Sequence, residues 1–304
     1  MIPYFMVSLV TGGLGFIGSH IVDKLLQLGH SVIVVDDESS GSYRNERAKH
    51  YKLDVLNYDA LSYVFAKEKP DWVFHLAAES RIGPSIENPM RASDVNFMGT
   101  CVVLQLSREY GVKRFMLSST SAAYGLQPPP HHEELNSDCL NPYSVSKVAA
   151  EKLAAMYYTL YGLETVIFRY FNVYGDRAPS EGQYSPVVSL FLRQKKSGPM
   201  TITGDGKQRR DFVHVSDVVE ANIFAATRDL PDYAKRQVFG KVVNIGSGKN
   251  YGILEIAEMI GGDYEFIPKR EGEAKETLAD VAKAKNFLGW NPKVDFKKWI
   301  ETQK

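Results

Sequence analysis

Residues 141–147 read Asn-Pro-Tyr-Ser-Val-Ser-Lys, and the pair that could do chemistry is Tyr143 with Lys147. Pro142 suits the first turn of a helix, and a spacing of four then puts phenol and ammonium on one helix face. A free phenol titrates near ~10 and is a poor base at neutral pH, but a cation held beside it favours phenolate. Lowering that pKa by about three units needs roughly 4 kcal/mol of differential interaction, within reach of an ammonium and a second positive group. Tyr143 is therefore expected to serve as an acid or base.

A second cluster lies in MVSLVTGGLGFIGSHIVDKLL, residues 6–26. An apolar run leads into Gly12-x-x-Gly15-x-x-Gly18, and Ile17, Ile21, Leu25 and Leu28 then follow at helical spacing until Gly29. HSVIVVDD reads as a second buried strand. Strand, turn, helix and strand within about 30 residues make the unit in which a dinucleotide pyrophosphate rests on a helix N-terminus. The glycines would serve a tight turn, close approach of backbone to phosphate, and packing of helix on strand. Asp36 ends the second strand at a distance from Gly18 close to the ~20 residues at which a carboxylate accepts from the adenosine ribose hydroxyls. A carboxylate there repels a 2'-phosphate, so NAD is expected over NADP. Asp37 and Glu38 follow, and a turn or cap role is the alternative for any of the three.

The whole composition sets the class. The chain has 304 residues with 36 acidic against 36 basic side chains, a balance that gives no reason to expect nucleic acid or a membrane surface as partner. The uncharged start has no Lys or Arg before Lys24, unlike a secretory signal, and its glycines would weaken a spanning helix of ~20 residues. Cys101 and Cys139 form no CxxC or Cys/His cluster, so reduced thiols, no metal and a cytoplasmic location are expected. His75 in FHLAA and His214 in FVHVSD read as structural.

Helix and strand patterns alternate onward: YDALSYVFAKEK, DWVFHLAA, PMRASDVNFMGTCVVLQLSREYG, VKRFMLSS, YSVSKVAAEKLAAMYYTLYG, LETVIFRYFN. That alternation predicts an α/β fold, a doubly wound parallel sheet of Rossmann type with helices on both faces and a smaller C-terminal lobe. The expected division is a nucleotide domain over 1–172, joined again by 211–228, and a substrate lobe drawn mainly from 173–304. Polar clusters after the strands, at 36, 75, 118 and 169, should converge on one cleft at the strand carboxyl ends.

TGGLGFIG, HLAA, PYSVSK, RYFNVYG and RRDFVHVSDV, in this order, resemble the extended short-chain dehydrogenase/reductase family, and within it the nucleotide-sugar 4-epimerases of the UDP-galactose and UDP-N-acetylglucosamine type. The similarity runs from about residue 6 to about residue 292. It implies a tightly held NAD and transient oxidation at the sugar C4, with Tyr143 as acid/base, Lys147 on the nicotinamide ribose and the tyrosine, and Thr120 on the sugar oxygen. Cofactor contacts are implied at Gly12, Gly15, Phe16, Ile17, Gly18, Asp36, Asp37, Asp54, Val55, Leu76, Ala77, Ala78, Ser80, Ser118, Tyr143, Lys147 and Tyr170. Asn172, Arg210 and Arg270 would hold the nucleotide diphosphate, arginine because its planar fork matches phosphate.

Related sugar dehydratases carry a carboxylate after the active Thr, where this chain has Ser121 and Ala122, so elimination is disfavoured. Relatives confined to plain hexoses tend to place Tyr where Thr277 stands, which leaves room here for an N-acetyl group. Three features depart from the family: Thr203 where an aromatic often precedes GDGKQ; Arg209 beside Arg210, a hint of an anionic sugar such as a uronate or merely a surface charge; and an early C-terminus. The rival readings are a UDP-glucuronate epimerase or decarboxylase, a dehydratase, and a non-catalytic NAD sensor. The resemblance also implies a homodimer through helices at 90–110 and 143–161, with Met90, Val95, Met98, Leu153 and Tyr157 as candidate contacts.

Overall fold

The computed structural model describes residues 5–181 and 185–303. Seven strands form its central sheet: β1 (Val7–Thr11), β2 (Ser31–Asp36), β3 (Lys49–Lys52), β4 (Trp72–His75), β5 (Arg114–Thr120), β6 (Glu164–Tyr170) and, after the smaller strands β7 (Asn172–Tyr174), β8 (Met200–Thr203) and β9 (Arg209–His214), β10 (Lys241–Ile245). Their order is β10-β6-β5-β4-β1-β2-β3, every pairing parallel. The order reverses beside β1, the switch point at which doubly wound sheets bind ligands. The central strands are near-continuous apolar runs because helices cover both faces. One apolar cluster gathers Val10, Ile21, Val34, Phe168 and Trp290 on one side; the other gathers Leu9, Val35, Phe65, Phe115 and Tyr157.

The smaller lobe joins β9 to β7 and to β11 (Asn250–Gly252), and β8 to β12 (Tyr264–Ile267). Its core is a separate cluster around Phe191, Ile202, Phe212, Ile256 and Phe296.

Some elements differ from expectation. β3 and β10 extend the sheet at its two edges. The long helical stretch from Pro89 to Glu109 contains a π turn at Asp94–Gly99. That turn aims Asn96 inward, where its amide donates to the Glu79 carbonyl and Ser146 Oγ, both at 3.0 Å, and accepts from the Glu79 N–H at 2.8 Å. Such bulges recur at functional sites. Two of the candidate dimer contacts, Val95 and Tyr157, are buried in the chain's own core, whereas Met90 and Met98 are exposed. An apolar helix face does not tell by itself which neighbour it serves.

Candidate active site

The glycine turn closes β1 onto the helix Phe16–Gln27. Gly12 has φ +67°, and a Cβ there would lie 2.7 Å from the Ala77 nitrogen. A Cβ on Gly18 would lie 2.1 Å from the Gly12 carbonyl oxygen, so this glycine is needed for packing. Gly15 differs: its Cβ would meet only the Gly12 oxygen, at 3.3 Å. Its missing side chain leaves space open over the helix N-terminus, which a dinucleotide pyrophosphate fits. Phe16 and Ile17 form the first turn of that helix.

Asp36 sits at the end of β2 and accepts from the Leu14 N–H at 3.0 Å and the Glu38 N–H at 2.8 Å. Burial pushes its pKa up against those two bonds. The aspartate thus serves the local turn, and its oxygens keep further lone pairs for ribose hydroxyls. Asp37 accepts from Ser39, while Asp54 accepts from the Leu56 N–H. Arg91 reaches both, 3.7 Å from Asp37 and 3.3 Å from Asp54. No motif marks this arginine.

The segment Leu76–Ala78 follows β4 over the glycine turn, with Ala77 N–H donating to Thr11 Oγ1. Beneath it His75 is fully buried between Thr11 Oγ1, 2.7 Å from Nδ1, and Thr100 Oγ1, 3.0 Å from Nε2. Thr100 gives its hydroxyl hydrogen to the Asn96 carbonyl, so Nε2 must donate and Nδ1 accept. His75 is a structural histidine, its pKa lowered by burial to about 3. An unfolded chain binds this proton near pH ~6.5 and the folded one does not, so unfolding takes up a proton between the two values. Stability should therefore fall by up to ~1.4 kcal/mol for each pH unit below ~6.5 from this group alone. Acid denaturation compared between wild type and His75→Asn checks this, and equal slopes would remove the histidine from the account.

The helix Pro142–Tyr161 begins with a capping box. Asn141 Oδ1 accepts from the Ser144 N–H at 2.8 Å, Ser144 Oγ answers the Asn141 N–H, and Pro142 fills the first turn. Asn141 also donates to the Gly272 carbonyl at 2.9 Å, which ties this end to the smaller lobe. Ser85 Oγ accepts from the Tyr143 N–H at 3.2 Å. Tyr143 lines the cleft, Lys147 is buried one turn later, and Glu151 follows on the same face, also buried.

In the protein alone, desolvation governs both groups. Burial raises the Tyr143 pKa, with Thr120 opposing, and burial lowers Lys147 to about 8, with Glu151 opposing. Desolvation disfavours the charged form of each group, and at the phenol it dominates.

Glu151 anchors the site from behind. Its carboxylate accepts from Ser119 Oγ at 2.5 Å, from Arg169 Nε at 2.9 Å and from Arg169 Nη2 at 2.7 Å. Arg169 in turn lies 4.6 Å over the Tyr124 ring. The network joins β5, β6 and the helix Pro142–Tyr161, the three elements that carry Thr120, Tyr170 and Tyr143.

A cleft of about 310 Å³ opens at the carboxyl ends of these strands. Ser80, Thr120, Ser121, Ala122, Tyr143 and Tyr170 line it from the sheet side; Asn172, Thr203, Arg210, Arg270 and Thr277 line the rest. Tyr170 is held by Ser118 at 3.2 Å and Asn222 at 2.7 Å, and burial pushes its pKa to about 12. Asn172 donates to the Asp211 carbonyl and to Thr277 Oγ1. Arg210 and Arg270 flank Glu273, at 3.5 Å and 3.8 Å. Gln208 donates to Thr203 at the place where an aromatic was expected. Arg209 points elsewhere: it donates to Asn250 and faces Glu255 on the outer side of β9. Asn141, Gln208 and Arg81 line the cleft without having been singled out by sequence. A more open groove of about 570 Å³ at Met6, Trp72 and Arg228 contains none of these groups.

His214 caps the helix Val215–Thr227 by accepting from the Ser216 N–H. Among the described residues no cluster of His, Cys, Asp or Glu could hold a metal ion, and no helix is long and apolar enough to cross a membrane.

Comparison with known proteins gives consistent matches. The model of the NAD dependent epimerase/dehydratase family matches residues 8–246. A UDP-glucuronate 4-epimerase from Thermodesulfobacterium geofontis is 34% identical, over 96% of this chain and 93% of that protein. The crystal structure of UDP-glucose 4-epimerase from Thermotoga maritima, with UDP-glucose, superposes with a TM-score of 0.92 at 35% identity, covering 98% of this chain and 97% of the other. UDP-N-acetylglucosamine 4-epimerase from Methanobrevibacter ruminantium, in complex with UDP-N-acetylmuramic acid, gives 0.88 at 31% identity, covering 99% and 96%.

Proposed function

Because the chain belongs to the NAD dependent epimerase/dehydratase family, we infer that it is an NAD-dependent UDP-sugar 4-epimerase whose cleft admits N-acetylated hexoses. The observation that supports this best is the convergence of Thr120, Tyr143 and Tyr170 on one cleft with Arg210 and Arg270.

Bound NAD supplies the acceptor, and then the donor, of hydride at C4. Gly12, Gly15 and Gly18 would cradle its diphosphate, Asp36 its adenosine ribose, and Lys147 and Tyr170 the nicotinamide end. Asp37, Asp54, Val55, Leu76, Ala77, Ala78, Ser80 and Ser118 line the path between them. Tyr143 holds and moves the proton of the C4 hydroxyl, and Thr120 orients that oxygen. Asn172, Arg210 and Arg270 grip the UDP diphosphate, which leaves the hexose able to turn and present its other face.

Ser121 and Ala122 place no carboxylate beside Thr120, so the elimination step of a dehydratase lacks its acid/base. Thr277 Oγ1 is held by the Asp211 N–H at 3.2 Å, and its short side chain leaves room that an N-acetyl group could take. The exposed Met90 and Met98 support pairing with a second copy, and the free Cys101 and Cys139 suit the cytoplasm.

The purified protein, given UDP-glucose or UDP-N-acetylglucosamine without added NAD, should form the C4 epimer, seen by anomeric proton NMR. No epimer even with NAD supplied would overturn the assignment. Thr277→Tyr should cut activity on the acetylated sugar about 10–200-fold more than on the plain one, the span of one hydrophobic pocket contact. Equal losses would sink the size argument.

A further inference from the structure

We propose that Arg81 is a specificity residue for a carboxylate on the hexose, so that the substrate class of this cleft includes UDP-linked hexuronates, with or without an N-acetyl group. The proposal rests on the epimerase reading above and concerns which sugar that site prefers.

The charge pattern of the cleft carries the argument. Its charged lining consists of Arg81, Arg210, Arg270 and Glu273. Arg210 and Arg270 both face Glu273 from the smaller lobe, where the diphosphate would be held. Arg81 comes from the opposite side, in the segment after β4, and is half-buried. Its guanidinium makes no hydrogen bond or ion pair among the described residues, and no acidic group lines the sheet side of the cleft around it. A guanidinium with five donors and no acceptor, on a concave wall, is a site waiting for an anion.

Its position is fixed relative to the chemistry. Arg81 precedes the short helix Ile82–Glu87, and its carbonyl accepts from the Ser85 N–H at 3.2 Å. Ser85 Oγ accepts from the Tyr143 N–H at 3.2 Å and donates to the Ile82 carbonyl at 2.7 Å. Arg81 is thus pinned, through one serine, to the backbone of the tyrosine that meets O4. The cleft lining contains Ile82, Thr120 and Ser121 but none of the turn glycines, which places this side chain in the substrate half. A hexose with O4 at Tyr143 has its C6 substituent on the adjacent carbon, C5. A carboxylate there offers the two oxygens that a planar fork accepts side by side.

The test uses the protein as purified with its cofactor. Wild type, Arg81→Ala and Arg81→Lys are assayed by NMR with UDP-glucose, UDP-glucuronate, UDP-N-acetylglucosamine and UDP-N-acetylglucosaminuronate. Wild type should epimerise the carboxylated sugars, and Arg81→Ala should lower the ratio of kcat/KM for carboxylated over neutral sugars by about 100-fold. Arg81→Lys should recover part of that ratio, since it keeps the charge and loses the fork. Equal loss on all four sugars, or loss of copurified NAD from Arg81→Ala, would overturn the proposal by making the residue structural or a cofactor contact. Wild-type turnover of neutral sugars alone would overturn it while leaving the epimerase reading intact. Turnover of none would defeat both.

Discussion

Tyr143→Phe is expected to purify folded and with NAD bound, yet to lose about 10²–10⁴-fold in turnover, the usual worth of a positioned acid/base. The phenyl ring keeps the packing of a half-buried side chain and deletes only the hydroxyl that would meet O4. Release of nucleotide by acid, read by absorbance, reports the cofactor; anomeric proton NMR reports the epimer. Turnover at the wild-type rate would remove the tyrosine from the mechanism. Loss of NAD along with activity would instead make it a binding residue. The pKa directions sharpen the expectation. With the phenol raised by burial, Tyr143 in the protein alone is not set for base chemistry at neutral pH, whereas Lys147 is lowered to about 8.

Arg169→Met should be the most destabilising change at the site, by about 3–5 kcal/mol, because it strands a buried carboxylate. Arg169 and Glu151 are each only 4% exposed, so water cannot replace the missing partner. The double variant Glu151→Gln with Arg169→Met removes both charges and should recover most of the loss, since an unpaired charge costs more than an absent pair. Urea denaturation of the two variants measures it. If single and double variants lose the same stability, the pair contributes through packing and not through charge.

The first strand, turn and helix were legible because three local signals agree: an apolar run, glycines at turn spacing and a helical apolar period. The catalytic pair was legible for a similar reason, since a spacing of four on a helix fixes a shared face. β3, in contrast, reads Lys-His-Tyr-Lys and is only half-covered at the sheet edge, so it has no apolar run to announce it. β10 has such a run, but nothing within Lys-Val-Val-Asn-Ile says which sheet it joins. Arg81 and Arg91 were not legible at all, because a lone arginine in a sequence has no period or partner. The direction of the Tyr143 shift depends on the depth of burial, which the spacing to Lys147 does not encode.

The edge strand at 241–245 also bears on how the protein is made. The apolar cluster that backs β1 includes Val238, Phe239, Val243 and Ile245, and also Ala284, Leu288 and Trp290. Trp290 Nε1 donates to the Asp217 carbonyl at 2.8 Å, locking that late segment beneath the helix Val215–Thr227. The nucleotide half, though begun at β1, cannot seal this face until residues near Trp290 have left the ribosome. During synthesis β6 waits as an open edge with unpaired backbone groups, a state that invites pairing with another chain. Contacts of such long sequence separation form slowly, so that edge stays open for longer than the rest of the sheet.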